Sequence, residues 1–150
     1  MNAYSRFLAM VGTSTAAMFL LTYLNSYSVD HLFFSETRAY MALLMGGAMA
    51  TIMLLFMLAM FTDRRKNTAI LLGSATVFVA SLWLVRSQAT VEDVSYMRAM
   101  IPHHSIAILT SERARISDPR VRELADGIIE AQVREIADMK ALIEELDGGR

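Results

Sequence analysis

Cysteine is absent from all 150 residues, and that removes two chemistries at once. Neither a disulfide framework nor a thiolate metal site can form, while an oxidising compartment is permitted but not demanded. An excess of charge of one sign is also missing, since 14 Lys and Arg face 15 Asp and Glu. That balance offers no basic footprint for nucleic acid, and the partner class is set aside. No P-loop, dinucleotide fingerprint, Ser–His–Asp pattern or Glu-x-x-His pair occurs either. An enzyme is therefore not expected. A metal-dependent redox enzyme would need the Glu-x-x-His pairs that di-iron helical bundles use.

What is abundant is apolar. Hydrophobic residues make up 55 % of the chain, too many for an ordinary soluble domain. They gather in three nearly charge-free segments, about 7–24, 39–61 and 69–85, each near the ~20 residues that cross a bilayer. The first is the weakest, diluted by Thr13, Ser14, Thr15 and Thr22. Leu24-Asn25-Ser26-Tyr27 makes a poor signal-peptide cleavage site, so this segment reads as a retained anchor.

Orientation follows from the short loops. Arg6 precedes the first segment and Arg64, Arg65 and Lys66 sit between the second and third. The opposite loop holds Asp30, Glu36 and Arg38, without positive excess. The positive-inside rule puts the N-terminus and Arg64–Lys66 in the cytoplasm. Three spans then leave 87–150 outside, against the mild counter-signal of Arg86. In a bacterium this describes a multi-pass inner (plasma) membrane protein facing the periplasm. The expected organisation is a three-span membrane domain, 1–86, followed by a periplasmic helical hairpin, 87–150, all-α throughout.

Beyond Arg86 the periodicity is helical. Thr90-Val91-Glu92-Asp93 reads as an N-cap followed by an acidic third residue, opening a helix to about Arg115. Asp118 caps the next helix, with Pro119 at its first position. Its apolar stripe runs through Val121, Ala125, Ile128, Ile129, Ile136, Met139, Ile143 and Leu146, and Gly148-Gly149 ends it. Two helices bury a single seam, so self-association into a four-helix bundle is expected. Packing against the membrane spans is the alternative.

Chemistry concentrates in Met97-Arg98-Ala99-Met100-Ile101-Pro102-His103-His104. At about 100° per residue, Met97, Met100 and His104 share some 60° of arc. Thioether and imidazole are soft and borderline donors, suited to copper rather than magnesium or calcium. His103 and His104 diverge by about 100°, so both do not bind one ion within one chain: either one ligates while the other hydrogen-bonds Glu135, or the two serve different subunits. Pro102 either kinks this helix or marks its start. On the second helix Gln132, Glu135 and Met139 repeat the spacing. Gln132 lies in the apolar stripe and needs a partner: the His103/His104 region, if the helices pack antiparallel, or only a register-fixing role.

Two further groups are weighed. Met41, Met45, Met49, Met53, Met57 and Met60 tempt a metal-conducting ladder, but a four-residue step drifts about 40° each time, winding the sulfurs round the helix. Methionine is also an adaptable packer, and Gly46-Gly47-Ala48 points to close helix contact. His31 reads as an interface residue in water rather than a ligand.

The paired motifs, Met100-Ile101-Pro102-His103-His104, then Asp118-Pro119-Arg120-Val121-Arg122-Glu123-Leu124-Ala125, then Ile129-x-x-Gln132-x-x-Glu135-Ile136-x-x-Met139, resemble the domain-of-unknown-function family 305. The resemblance covers about 91–146 and implies a ferritin-like helical fold. Several members resemble periplasmic copper-binding proteins with Met and His ligands. Asp93, Met97, Met100, His103, His104, Gln132, Glu135 and Met139 fall on the signature positions. Two departures stand out: Ser105 and Thr110 replace Gln and Met of many relatives, and one helix pair is present where others have two. Fewer soft donors imply a weaker or different site, and the single pair implies a homo-oligomer.

The resulting expectation is a membrane-anchored periplasmic protein binding a copper ion, as Cu(I), for storage, buffering or delivery. Met97, Met100 and His104 would hold it, with His103 and Met139 as further candidates and Asp93, Gln132 and Glu135 supporting them. Its partners would be the lipid bilayer, further copies of itself and a periplasmic copper donor or acceptor. Binding should weaken below about pH 6.5, where imidazole takes a proton. The alternative is a metal-free structural or oligomerisation module of a membrane complex.

Overall fold

The computed structural model describes residues 2–148. Its helices are α1 Ala3–Leu21, α2 Glu36–Phe56, α3 Arg64–Ser87, α4 Asp93–Arg113 and α5 Pro119–Gly148, with one 3₁₀ turn at Val29–His31. No strand occurs among the described residues. Contacts divide the chain into two units. One joins the chain up to Thr22 with Thr37–Thr90, the other joins Tyr23–Glu36 with the chain from Val91 onward. The division therefore falls after Thr90 rather than after residue 86, and a segment between α1 and α2 belongs with the hairpin.

Helix ends follow local chemistry. Asn2 accepts the Ser5 amide at 2.8 Å and opens α1. Asp63 accepts the Arg65 and Lys66 amides at 3.0 and 3.2 Å and opens α3. Asp118 accepts the Arg120 amide at 2.9 Å with Pro119 first in α5, as the sequence predicts. Thr90 does not cap α4: the helix begins at Asp93, and the Thr90 hydroxyl instead shares a 2.7 Å hydrogen bond with Tyr40. Pro102 lies inside α4 and does not start it. Gly148 is still helical, and Gly149 is outside the described residues.

Among the described residues only α2 and α3 are long and apolar enough to cross a membrane, so the expected three spans reduce to two candidates. The shortfall of α1 has a plain cause. Tyr4, Ser5 and Arg6 fill its start and Gly12-Thr13-Ser14-Thr15 its middle, and each raises the cost of transfer into hydrocarbon.

In the first unit α1 packs on α2 through Phe7, Leu54 and Phe61, with Met53 and Met57 among their neighbours. Met41 and Met60 are exposed, so these sulfurs do not line one face. Small residues bring the backbones together. A Cβ on Gly47 would lie 2.9 Å from the Ser74 carbonyl oxygen of α3, while one on Gly46 would meet the Thr15 side chain of α1. Beside Gly47, Thr51 and Ser74 share a 2.8 Å hydroxyl bond. Close approach through small residues is what holds apolar helices together where water cannot drive them.

In the second unit α4 and α5 run antiparallel around Met97, Ile101, Ile108, Ile136 and Ile143, with Phe33, Val94, Ile129 and Met139 packed against them. Each buried large apolar side chain contributes roughly 1.5–3 kcal/mol.

Candidate metal site

The α4–α5 seam brings His104 to Glu135. Imidazole Nε2 lies 2.7 Å from Glu135 Oε2, with the His104 side chain 12 % exposed. In the neutral ring, the tautomer that donates Nε2–H to this carboxylate leaves Nδ1 with a bare lone pair. That Nδ1 is buried and meets no hydrogen-bond partner. A buried acceptor left unpaired costs about 1–3 kcal/mol. Histidines that bind metals show this same division, one nitrogen tied to a carboxylate and the other facing the ion.

Antiparallel packing sets the levels around the pair. Arg98 meets Asp147 further along the seam. In that direction, one turn or about 6 Å from the His104–Glu135 level, come Met100 on α4 and Met139 on α5. Met97 follows one turn later. Met97 and Met139 join the same apolar cluster, and Met100 is half-buried.

The other expected site residues stand apart. His103 is exposed, its ring centroid 6.3 Å from that of His104 at 64° between planes, as a 100° step along a helix requires. Asp93 is exposed in the first turn of α4. Gln132 is half-buried and lies at one end of an open groove along α5 that begins at Arg120. The histidine partner is therefore Glu135 and not Gln132, because Gln132 sits one turn before the His104 level. Among the described residues no group of three or more His, Asp or Glu could hold a metal ion. What the seam offers is one imidazole nitrogen with thioethers a turn away, a set that fits a soft ion and not one demanding several oxygens.

Sequence reasoning missed the segment Tyr23–Glu36, which fastens to both helices. Ser105, fully buried in α4, accepts the Tyr27 amide at 2.7 Å, and its Oγ lies 3.0 Å from His31 Nδ1. Asp30 Oδ2 meets Lys140 Nζ of α5 at 2.6 Å and His31 Nε2 at 3.8 Å. Ser95 donates to Glu36 at 2.9 Å. Burial pushes the His31 imidazole below its ordinary pKa, against the opposing pull of Asp30. Hydrogen bonds from Lys140 and then Ser28 hold Asp30 far below the usual carboxylate range. Serine, histidine and aspartate thus stand in line, around a hydroxyl with no exposed surface. The cluster is a fastening. One signal was available: Ser105 interrupts the buried line Met97, Ile101, Ile108, and a small polar residue there leaves room for something to dock.

The fold and site together define an all-α protein in which a Met/His-bearing hairpin follows apolar helices. Residues 87–149 match the family described as "Domain of unknown function (DUF305)". The chain is also similar to "Uncharacterized protein L153" of Acanthamoeba polyphaga mimivirus, 33 % identical over 144 residues that cover 94 % of this chain and 93 % of that protein. This chain belongs to the DUF305 family. No solved structure matches it.

Proposed function

We propose that this chain is a membrane-anchored protein whose helical hairpin binds copper as Cu(I), for storage, buffering or delivery. The observation that carries the reading is the buried, unpartnered Nδ1 of His104, whose ring is oriented by Glu135. A Cu(I) ion at that lone pair would relieve an unmet acceptor, and the thioethers of Met100 and Met139, then Met97, are the nearest soft donors along the seam. His103 and Asp93 lie outside this set. Glu135 orients the ring and does not itself bind.

The proposed anchor is α2 with α3. The positive cluster Arg64–Lys66 at the start of α3 supports an inside location for that end. Both pieces of the second unit, Tyr23–Glu36 and the chain from Val91, join the opposite ends of α2 and α3. They would face outward, into the periplasm in a bacterium, where a copper donor or acceptor could exchange ions with the hairpin. This placement does not depend on α1.

The test is a Cu(I) competition titration of the full-length protein in detergent micelles, with Zn(II) as comparison. The wild type should bind one Cu(I) per hairpin and prefer it to Zn(II). His104→Ala should lose that binding, and His103→Ala should stay within about twofold of wild type. Equal binding by His104→Ala and wild type would remove the proposal.

A second reading, a metal-free oligomerisation module, rests on a different observation. Leu124, Val133, Leu142 and Leu146 of α5 are exposed, and a second copy of the hairpin could cover part of that surface in a four-helix bundle. It predicts the same oligomer with and without copper, and His104→Ala changing assembly while metal content stays constant.

A further inference from the structure

The segment Tyr23–Glu36 sorts its side chains in two directions. Its carboxylates and imidazole are engaged by the hairpin: Asp30 by Lys140, His31 by Ser105, Glu36 by Ser95, and the Tyr27 hydroxyl donates to Glu112 of α4 at 3.3 Å. Phe33 joins the hairpin core. Its remaining large apolar residues do the opposite. Val29 is 81 % exposed, Leu24 78 %, and Leu32 close to half. A short segment showing water this much apolar surface and no unpaired charge calls for an apolar neighbour. Chain continuity says which one. Leu24 lies three residues beyond the end of α1, whose own last residues Leu20 and Leu21 are exposed, and the segment runs directly into α2, a candidate membrane span.

We infer that this segment is an interfacial lipid-binding surface: Leu24, Val29 and Leu32 dip into the boundary between headgroups and acyl chains. Apolar side chains at that depth gain hydrophobic burial. The Asp30–Lys140 and His31–Ser105 contacts then tie the hairpin to the membrane surface. This inference rests on the membrane-anchored reading above.

The natural absence of cysteine makes the experiment clean. Single spin labels are placed by Leu24→Cys, Val29→Cys, Ile52→Cys in α2 and Leu142→Cys in α5, in full-length protein reconstituted in phosphatidylcholine–phosphatidylglycerol vesicles. Oxygen, which enters lipid, and a water-soluble nickel chelate compete to relax each label. All four positions are exposed, so labelling disturbs little packing. The inference expects oxygen to dominate at 24 and 29 at shallow depth, oxygen to dominate more strongly at 52, and nickel to dominate at 142. Nickel dominance at 24 and 29 with a deep 52 would overturn the inference and leave the anchor standing. Protection from both reagents at 24 and 29, the mark of protein contact, would overturn it equally. Nickel dominance at 52 would overturn the anchor, and the inference with it.

Discussion

His104 and His31 are both half-buried imidazoles held by hydroxyl or carboxylate groups, yet they answer to different tests. Glu135→Gln keeps the shape beside His104 and removes the charge that orients it, so Cu(I) affinity should fall about 10- to 100-fold in a competition titration. His31 tests the fastening. Its pKa is lowered by burial, so the native state resists its protonation. The stability it contributes is present above the ordinary histidine range near 6.5 and is lost as pH falls through the lowered value. Urea unfolding of the hairpin followed from pH 8 to 5 should show that loss. The loss should shrink in His31→Gln, which cannot take the proton. The pairing of an α4 histidine with α5 was legible in the repeated spacing of Met97, Met100, His104 and Gln132, Glu135, Met139. Glu135 was legible as the carboxylate beside one of the two histidines; which histidine it takes was not, because His103 and His104 diverge by about 100° and only the register of two packed helices chooses between them.

Elements carry a second kind of evidence. Gly47 and Gly46 are neighbours in α2 that face different helices, and their substitutions should differ. Alanine at Gly47 drives a Cβ to 2.9 Å from a backbone oxygen of α3, which cannot move without separating the helices. At Gly46 the obstacle is the end of the Thr15 side chain, which can rotate. Thermal unfolding in detergent should therefore show a larger drop in midpoint for Gly47→Ala than for Gly46→Ala, while Gly73→Ala, with open space around it, should show little. In the hairpin, Ile101→Ala should cost about 2–5 kcal/mol, since Ile101 has no exposed surface. The helix boundary at Asp118–Pro119 is written in local chemistry and was readable, whereas the caps Asn2 and Asp63, of the same chemistry, went unread. The start of α4 was not readable: Thr90 has the right side chain for a cap, but Tyr40, fifty positions away, claims its hydroxyl.

At the scale of the whole chain, the all-α class and the split into apolar and polar halves follow from periodicity and composition, which are local properties. The grouping of Tyr23–Glu36 with residues beyond Val91 is a long-range fact, set by one buried serine and one ion pair, and no periodic signal encodes it. The two units should respond to copper separately. Ligand binding stabilises only what it touches, by about 2.7 kcal/mol at a hundredfold excess over the dissociation constant. In hydrogen exchange on the full-length protein, added Cu(I) should slow amides of α4 and α5 and leave those of α1, α2 and α3 unchanged. Uniform slowing across both units would count against a site confined to the hairpin.

The most direct measurement is copper K-edge absorption on the full-length protein loaded with one equivalent of Cu(I), beside His104→Ala prepared identically. One nitrogen scatterer together with sulfur in the wild type, and loss of the nitrogen or of the metal in the variant, is the result expected from an Nδ1 lone pair with thioethers a turn away along the seam. A shell of light atoms alone, unchanged by the substitution, would contradict it.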